Sequence, residues 1–270
     1  MYKRQKVNGQ EKKLSQFADD TVLFSLFESD SLNGIINTFS HYENNTGLKV
    51  NYDKTIIYRI GSLRDSDAKL YTVKEFKWTS NDIDVLGIRI THKNSDQLQV
   101  NFDNIIAKTK IIIDSWGNRS LSLLGKKVII NTLIGSLTPY TLSVMRSLNN
   151  DMIKVFEELV RGFIWNERRD KIKFGTLKKA KEVGGIKLID LYAKDLSLKV
   201  PWIRRIHQNA FTRSIAEYFI PKLKLLEEKL WQCNINSKDI EGMVKESFYK
   251  DVWMAWSKIC LLYTSDAADD

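Results

Sequence analysis

Two adjacent carboxylates, Asp19 and Asp20, sit in Phe17-Ala18-Asp19-Asp20 between two short runs, 14–16 and 21–24, that read as strands. The spacing predicts a hairpin with the acidic pair at its tight turn. Side by side the two charges repel each other unless a shared divalent cation cancels them, and their oxygens are the hard ligands that Mg²⁺ takes. An Asp-Asp turn is equally an ordinary solvated turn, since Asp bonds readily to nearby backbone. A second chemistry, phosphate contact, belongs to the basic residues. Lys49 and Lys54 follow the hairpin, while Lys108, Lys110, Arg119, Lys126 and Lys127 fall on a helical section. Arg168, Arg169, Lys171, Lys173, Lys178, Lys179 and Lys181 crowd one connection. Such cations either neutralise backbone phosphates or are plain solvated surface. Trp116, Trp165 and Trp202 can stack on bases, but their spacing among isoleucines and leucines points to core.

Composition narrows the classes. With 270 residues, 43% hydrophobic and 28% charged, the chain has enough apolar material for a real core and room for about two domains. A formal charge of +9 suggests a polyanionic partner. No run approaches the roughly 18 apolar residues of a bilayer span, because the best stretch, 121–145, is broken by Lys126 and Lys127. No secretory signal pattern is present. Cys233 and Cys260 make no disulfide framework, and His41, His92 and His207 are too scattered for a zinc site, so a reducing compartment is expected.

The elements that must position these groups divide into an α+β part and a helical part. Residues 31–42 read as a helix with Ser31 as N-cap and Leu32, Ile35, Ile36 and Phe39 at helical spacing; Gly47 breaks it. Residues 48–52 alternate as a strand, 56–60 form another, and 76–78 with 85–90 suggest a hairpin around Ser80-Asn81-Asp82. From Phe102 onward the period is helical. Helices are expected at 102–116, at 121–136 with Pro139 ending or kinking it, and at 151–165. Gly184-Gly185 with 186–191 reads as a turn and short strand, and 193–207 as a helix interrupted by Pro201.

Met1-Tyr2-Lys3-Arg4-Gln5 and the segment 260–269 resemble the two reading directions of one synthetic element, the transposase mosaic end and adapter used in sequencing libraries. Both segments, 1–5 and 260–270, are on this reading adapter-derived artefacts that play no part in the fold. On this reading the library cut the frame, and residues 6–259 are the natural portion.

Phe17-Ala18-Asp19-Asp20, then Gly47-Leu48-Lys49-Val50-Asn51 with Lys54-Thr55, then Leu86-Gly87, resemble in order and spacing the last palm motifs of a reverse transcriptase. Trp116-Gly117-Asn118-Arg119-Ser120-Leu121-Ser122-Leu123-Leu124-Gly125-Lys126 is similar to the start of the thumb in polymerases of LINE-type non-LTR retrotransposons. Phe163-Ile164-Trp165-Asn166 and Gly184-Gly185-Ile186-Lys187-Leu188-Ile189-Asp190 resemble segments just beyond that thumb. The likeness spans roughly residues 10–206, and its weight lies in the ordered series.

The resemblance implies an α+β fold in which 6–98 is the C-terminal part of a right-hand polymerase palm, 99–165 an α-helical thumb and 166–259 a helical extension. It implies RNA-directed DNA polymerase chemistry with two Mg²⁺ ions, Asp19 a direct ligand and Asp20 an accessory carboxylate. The family draws a further carboxylate from an earlier strand, and no residue here matches it; the fingers are absent too. Lys54, ahead of Lys49, would protonate the leaving pyrophosphate, and Leu86-Gly87 would approach the primer. An RNA template, a DNA primer and a dNTP are the implied partners, and a retrotransposon ribonucleoprotein in cytoplasm and nucleus the implied setting. Arg119, Lys126, Lys127, Arg168, Arg169, Lys171 and Lys173 are the residues expected to track the RNA–DNA duplex. The isolated chain is expected to be inactive. Two rivals stand beside this reading: a catalytically dead remnant that still binds nucleic acid, and a group II intron-type maturase, which the thumb-start and Gly184-Gly185 segments argue against.

Overall fold

The computed structural model describes residues 6–7, 10–11, 14–70, 74–231 and 236–266. Most of the adapter-like ends, 1–5 and 267–270, lie outside them. The chain is mixed α+β and divides into two compact units, Met1–Gln97 and Leu98–Asp270.

Among the described residues the first unit carries its strands as four separate pairs. β1 (Lys6–Val7) and β2 (Gln10–Glu11) pair antiparallel, and so do β3 (Leu14–Phe17) and β4 (Asp20–Leu23). Helix α1 (Ser29–Thr46) follows, burying Leu32 and Ile36 one turn apart. It begins before the expected Ser31: Glu28 is the N-cap residue and Asp30 places a carboxylate in the first turn, where the helix dipole favours it. Gly47 ends the helix in the left-handed region (φ 73°), its N–H donating to Glu43 O. The expected strand at 48–52 does not form, because local side chains take its backbone donors. Leu48 N–H donates to Thr46 Oγ1, and Val50 N–H to Glu43 Oε1 at 2.8 Å.

β5 (Ile56–Tyr58) pairs in parallel with β6 (Lys77–Thr79), and β7 (Ile83–Val85) makes a hairpin with β8 (Ile88–Ile90). The expected hairpin over 76–90 is therefore shifted. Its turn is Leu86-Gly87 rather than Ser80-Asn81-Asp82, and β6 turns to β5 instead. Among the described residues only Leu32, Ile36 and Ile88 are buried apolar side chains in this unit.

The second unit is helical and holds nearly all the core. α2 (Gln97–Gly117) is followed by α3 (Leu123–Ile129), whose N-cap Ser122 accepts from Gly125 N–H. The expected single helix over 121–136 instead widens into a π turn, Ile130–Ile134. The segment ends at Ser136 ahead of Pro139, as expected, and Pro139 itself starts α4 (Pro139–Val144) at its first position, where no N–H is needed. α5 (Asn150–Trp165) is capped by Asn149 and short α6 (Phe174–Lys178) follows. The expected strand at 186–191 is absent. Its amides instead fold back on α6, with Ile186 and Leu188 donating to Leu177 O and Lys187 to Lys179 O.

α7 (Leu191–Lys199), capped by Asp190, and α8 (Pro201–Gln208) meet at Pro201 as expected. α9 (Ala210–Phe219), α10 (Leu223–Trp231), α11 (Ser237–Met243) and α12 (Ser247–Asp266) complete the unit; α12 runs on through 260–266. One buried cluster joins α2, α3, the π turn, α5 and α6 around Phe102, Ile130, Ile134, Phe156 and Phe163. A second joins α8 to α12 around Ile206, Leu226, Val252 and Trp253. Buried polar groups tie α7 to α4. Lys199 donates to Leu142 O and to Asp195 Oδ1 (3.1 Å), and Asp195 Oδ2 accepts from Leu148 N–H. Burial holds the Lys199 ammonium below its ordinary pKa, against the opposing pull of Asp195.

Candidate nucleic-acid interface

The acidic pair sits at the tip of the β3–β4 hairpin. Phe17 pairs with Asp20 across the ladder, which leaves Ala18 and Asp19 as a two-residue turn. Ala18 has φ 51°, a conformation that side chains resist and that here closes the hairpin. Asp19 and Asp20 are exposed, and neither carboxylate has a hydrogen bond or ion pair among the described residues. Both are oxygen donors of the type Mg²⁺ takes, but two carboxylates fill a small part of its octahedron. Among the described residues no three Asp, Glu, His or Cys side chains gather as a metal site. Two exposed carboxylates alone are too few oxygen donors to hold a Mg²⁺ ion.

Lys54 lies on an Asn51 turn, its N–H donating to Asn51 Oδ1 at 3.1 Å. Its side chain is exposed, as is that of Lys49, and no described bond joins either to the acidic pair. Leu86 and Gly87 form the tip of the β7–β8 hairpin with φ 50° and 76°. Two positive φ values in a two-residue loop are the pattern of a type I′ turn, whose usual first residue is Asn, Asp or Gly. Leu86 is instead an apolar side chain, 40% exposed, held in the left-handed region. Arg89 pins the hairpin from the opposite strand, donating to both Asp84 oxygens at 3.0 and 2.6 Å. That hydrogen bonding holds the Asp84 carboxyl below its ordinary pKa.

The cations of the second unit fall into three states. Lys126 is turned inward and only 5% exposed. Its ammonium donates to Phe163 O (2.7 Å), Ile164 O (3.0 Å) and Asn166 Oδ1, so it caps the C-terminal end of α5. Burial pulls its pKa down. The expectation that Lys126 contacts a duplex is corrected: every donor direction it has is spent inside the fold. Arg119 is exposed and stacks on the Trp116 ring at 4.3 Å, and Lys127 is half-buried on α3. Trp116 and Trp165 pack on the first core cluster and Trp202 on the second, its ring N–H donating to Ser143 O.

The third state is the connection from α5 to α7. Arg168, Arg169, Lys171, Lys173, Lys179 and Lys181 are all exposed, with no ion pair among the described residues. Of the acids nearby, Asp170 is engaged by Arg161 at 3.3 Å, Glu157 and Asp190 by Lys178, and Glu182 by Lys187 at 3.9 Å, while Glu158 and Glu167 have no ion pair among the described residues. Six cations without an ion pair therefore crowd one stretch, outnumbering its acids Glu167, Asp170 and Glu182. Beside it Arg168, Arg161, Glu158, Glu167, Asp170 and Gly162 line a cleft of about 150 Å³ whose mixed charges favour neither sign.

The stretch is held in shape. Phe174 and Leu177 anchor α6 in the core. Gly185 crosses so close to α6 that a Cβ there would lie 2.0 Å from Lys179 O. Gly184 before it has φ 80°. A residue the motifs did not single out, Asn131 of the π turn, donates through Nδ2 to Lys187 O (2.7 Å) and accepts Ile189 N–H at Oδ1 (3.0 Å). Its signal in the sequence is a lone amide inside the apolar run 128–134.

No protein-family model matches the chain. Among the described residues no helix is long and apolar enough to cross a membrane.

Proposed function

We propose that the chain is the C-terminal palm, thumb and helical extension of a non-LTR retrotransposon reverse transcriptase, and that by itself it binds nucleic-acid duplex without polymerising. The ordered motifs from Phe17 to Asp190 support the family. The observation that carries the proposed binding is the group of six exposed cations between Arg168 and Lys181 that make no ion pair among the described residues. Phosphate contact needs positive charge at a fixed place and no base-specific geometry, which suits a duplex of any sequence. Arg119, exposed with its guanidinium carbon 4.3 Å from the centre of the Trp116 ring, extends the same chemistry.

Asp19 and Asp20 supply, in this reading, two oxygen donors of the parent enzyme's metal site. When bound, the metal ions of such a site would activate a primer hydroxyl and steady the triphosphate. The third carboxylate of the family has no match here, so primer extension by this chain with Mg²⁺ on an RNA template is expected to give no product. Product that disappears in Asp19→Asn would overturn that expectation. Binding is tested with a mixed-sequence RNA–DNA hybrid. For about six phosphate contacts, affinity should fall roughly 10³-fold between 50 and 200 mM salt. A flat affinity across that range would remove the proposal.

A further inference from the structure

The six cations repel one another, and on a loose loop they would spread the chain and bind phosphate only at the cost of ordering it. The fold prevents this from both ends. At the first end, every carbonyl of the last turn of α5 has a partner. Gly162 O accepts from Asn166 and Glu167 N–H, Trp165 O accepts from Arg168 N–H, and Lys126 fills Phe163 O and Ile164 O while also taking Asn166 Oδ1. The departure of the basic connection from α5 is thereby fixed. At the other end, the Asn131 amide pairs with the backbone at Lys187 and Ile189 as a strand partner would. Lys126 and Asn131 stand five residues apart on one continuous helical segment, α3 and its π turn.

We propose that this segment clamps the basic connection at both ends, with Lys126 and Asn131 as positioning residues that preform its phosphate-binding surface. The proposal rests on the connection being the duplex-binding surface. Asn131 is the informative residue. It carries no charge, and both ends of its amide are spent on the chain, so it acts on a duplex only through the connection.

The test measures affinity for the RNA–DNA hybrid together with hydrogen exchange of the amides of 166–190, on the full chain. Asn131→Ala is expected to weaken binding by about tenfold, the equivalent of one or two lost phosphate contacts, and to speed exchange in 166–190 while α2 stays protected. Lys126→Met should do the same. Should either fail to fold, Asn131→Ser removes the paired amide more gently and is read in the same way. Unchanged affinity in a folded Asn131 variant, with binding lost in an Arg168→Gln/Arg169→Gln/Lys171→Gln/Lys173→Gln variant, overturns the clamp and leaves the binding surface standing. Weakened affinity with unchanged exchange also overturns it. If the glutamine variant itself binds like the parent, the surface reading fails first.

Discussion

Lys126 shows how a single side chain changes its meaning with its surroundings. By composition it is one more cation on a helical section, yet its helical neighbours three and four positions on are Ile129 and Ile130, both buried. That phase points it at the core, where the open carbonyls of α5 meet the ammonium. Lys126→Met leaves Phe163 O and Ile164 O without a donor, and a loss of about 3 kcal/mol in a denaturant melt of the second unit is expected. Leu86 is the opposite case, a residue whose own preference opposes its place. The left-handed region costs a leucine roughly 1 kcal/mol, so Leu86→Asn should slow amide exchange across β7 and β8, and Gly87→Ala should quicken it. Asp84 and Arg89 support the same hairpin. Because the Asp84 pKa is lowered in the fold, their contribution is present above the ordinary value of 3.8 and is lost as pH falls through the lower folded value.

The elements that could be read from sequence are those whose signal is local. α1, α2 and α5 follow from apolar period and the α7–α8 break from Pro201, while the cap of α1 falls at Glu28 rather than Ser31 and that of α5 at Asn149. Those that could not depend on distant partners. Residues 186–191 carry strand-like alternation, but the available carbonyls belong to the end of α6 and to Asn131, so the segment becomes a bound coil. Likewise 76–78 finds β5 rather than the segment after it, and the turn falls where Gly87 permits positive φ. Of the candidate site, the charge was legible and its availability was not, since pairing of Lys178 and burial of Lys126 need the fold. Gly185 tests the bound coil directly. A methyl group there would strike Lys179 O, so Gly185→Ala should cost about 2–3 kcal/mol and loosen 179–190 in hydrogen exchange. In the C-terminal helices, burial pushes the Tyr249 hydroxyl up to about 12. A raised value means its contribution is full below the unfolded value of 10.0 and is lost as pH rises toward 12, which a pH series of thermal melts followed by tryptophan fluorescence would record.

On the scale of the molecule the two units differ in what holds them. The second has two buried clusters and capped helices, whereas among the described residues the first buries three apolar side chains and leaves Phe17 69% exposed on a two-stranded hairpin. A lone two-stranded hairpin is marginal in water. Hydrogen exchange should therefore find β3, β4 and the Asp19-Asp20 turn nearly unprotected while α2 and α5 exchange only with global unfolding. A chain built this way presents its acidic tip on weakly held structure and its basic surface on firmly held structure, which favours the proposed binding over catalysis. The most direct measurement is the salt dependence of RNA–DNA hybrid binding by the chain and by its Arg168→Gln/Arg169→Gln/Lys171→Gln/Lys173→Gln variant. The account predicts a steep fall of log affinity with log salt for the parent and a slope shallower by about three to four in the variant. Equal slopes in the two proteins, or no binding by the parent at 50 mM salt, would contradict it.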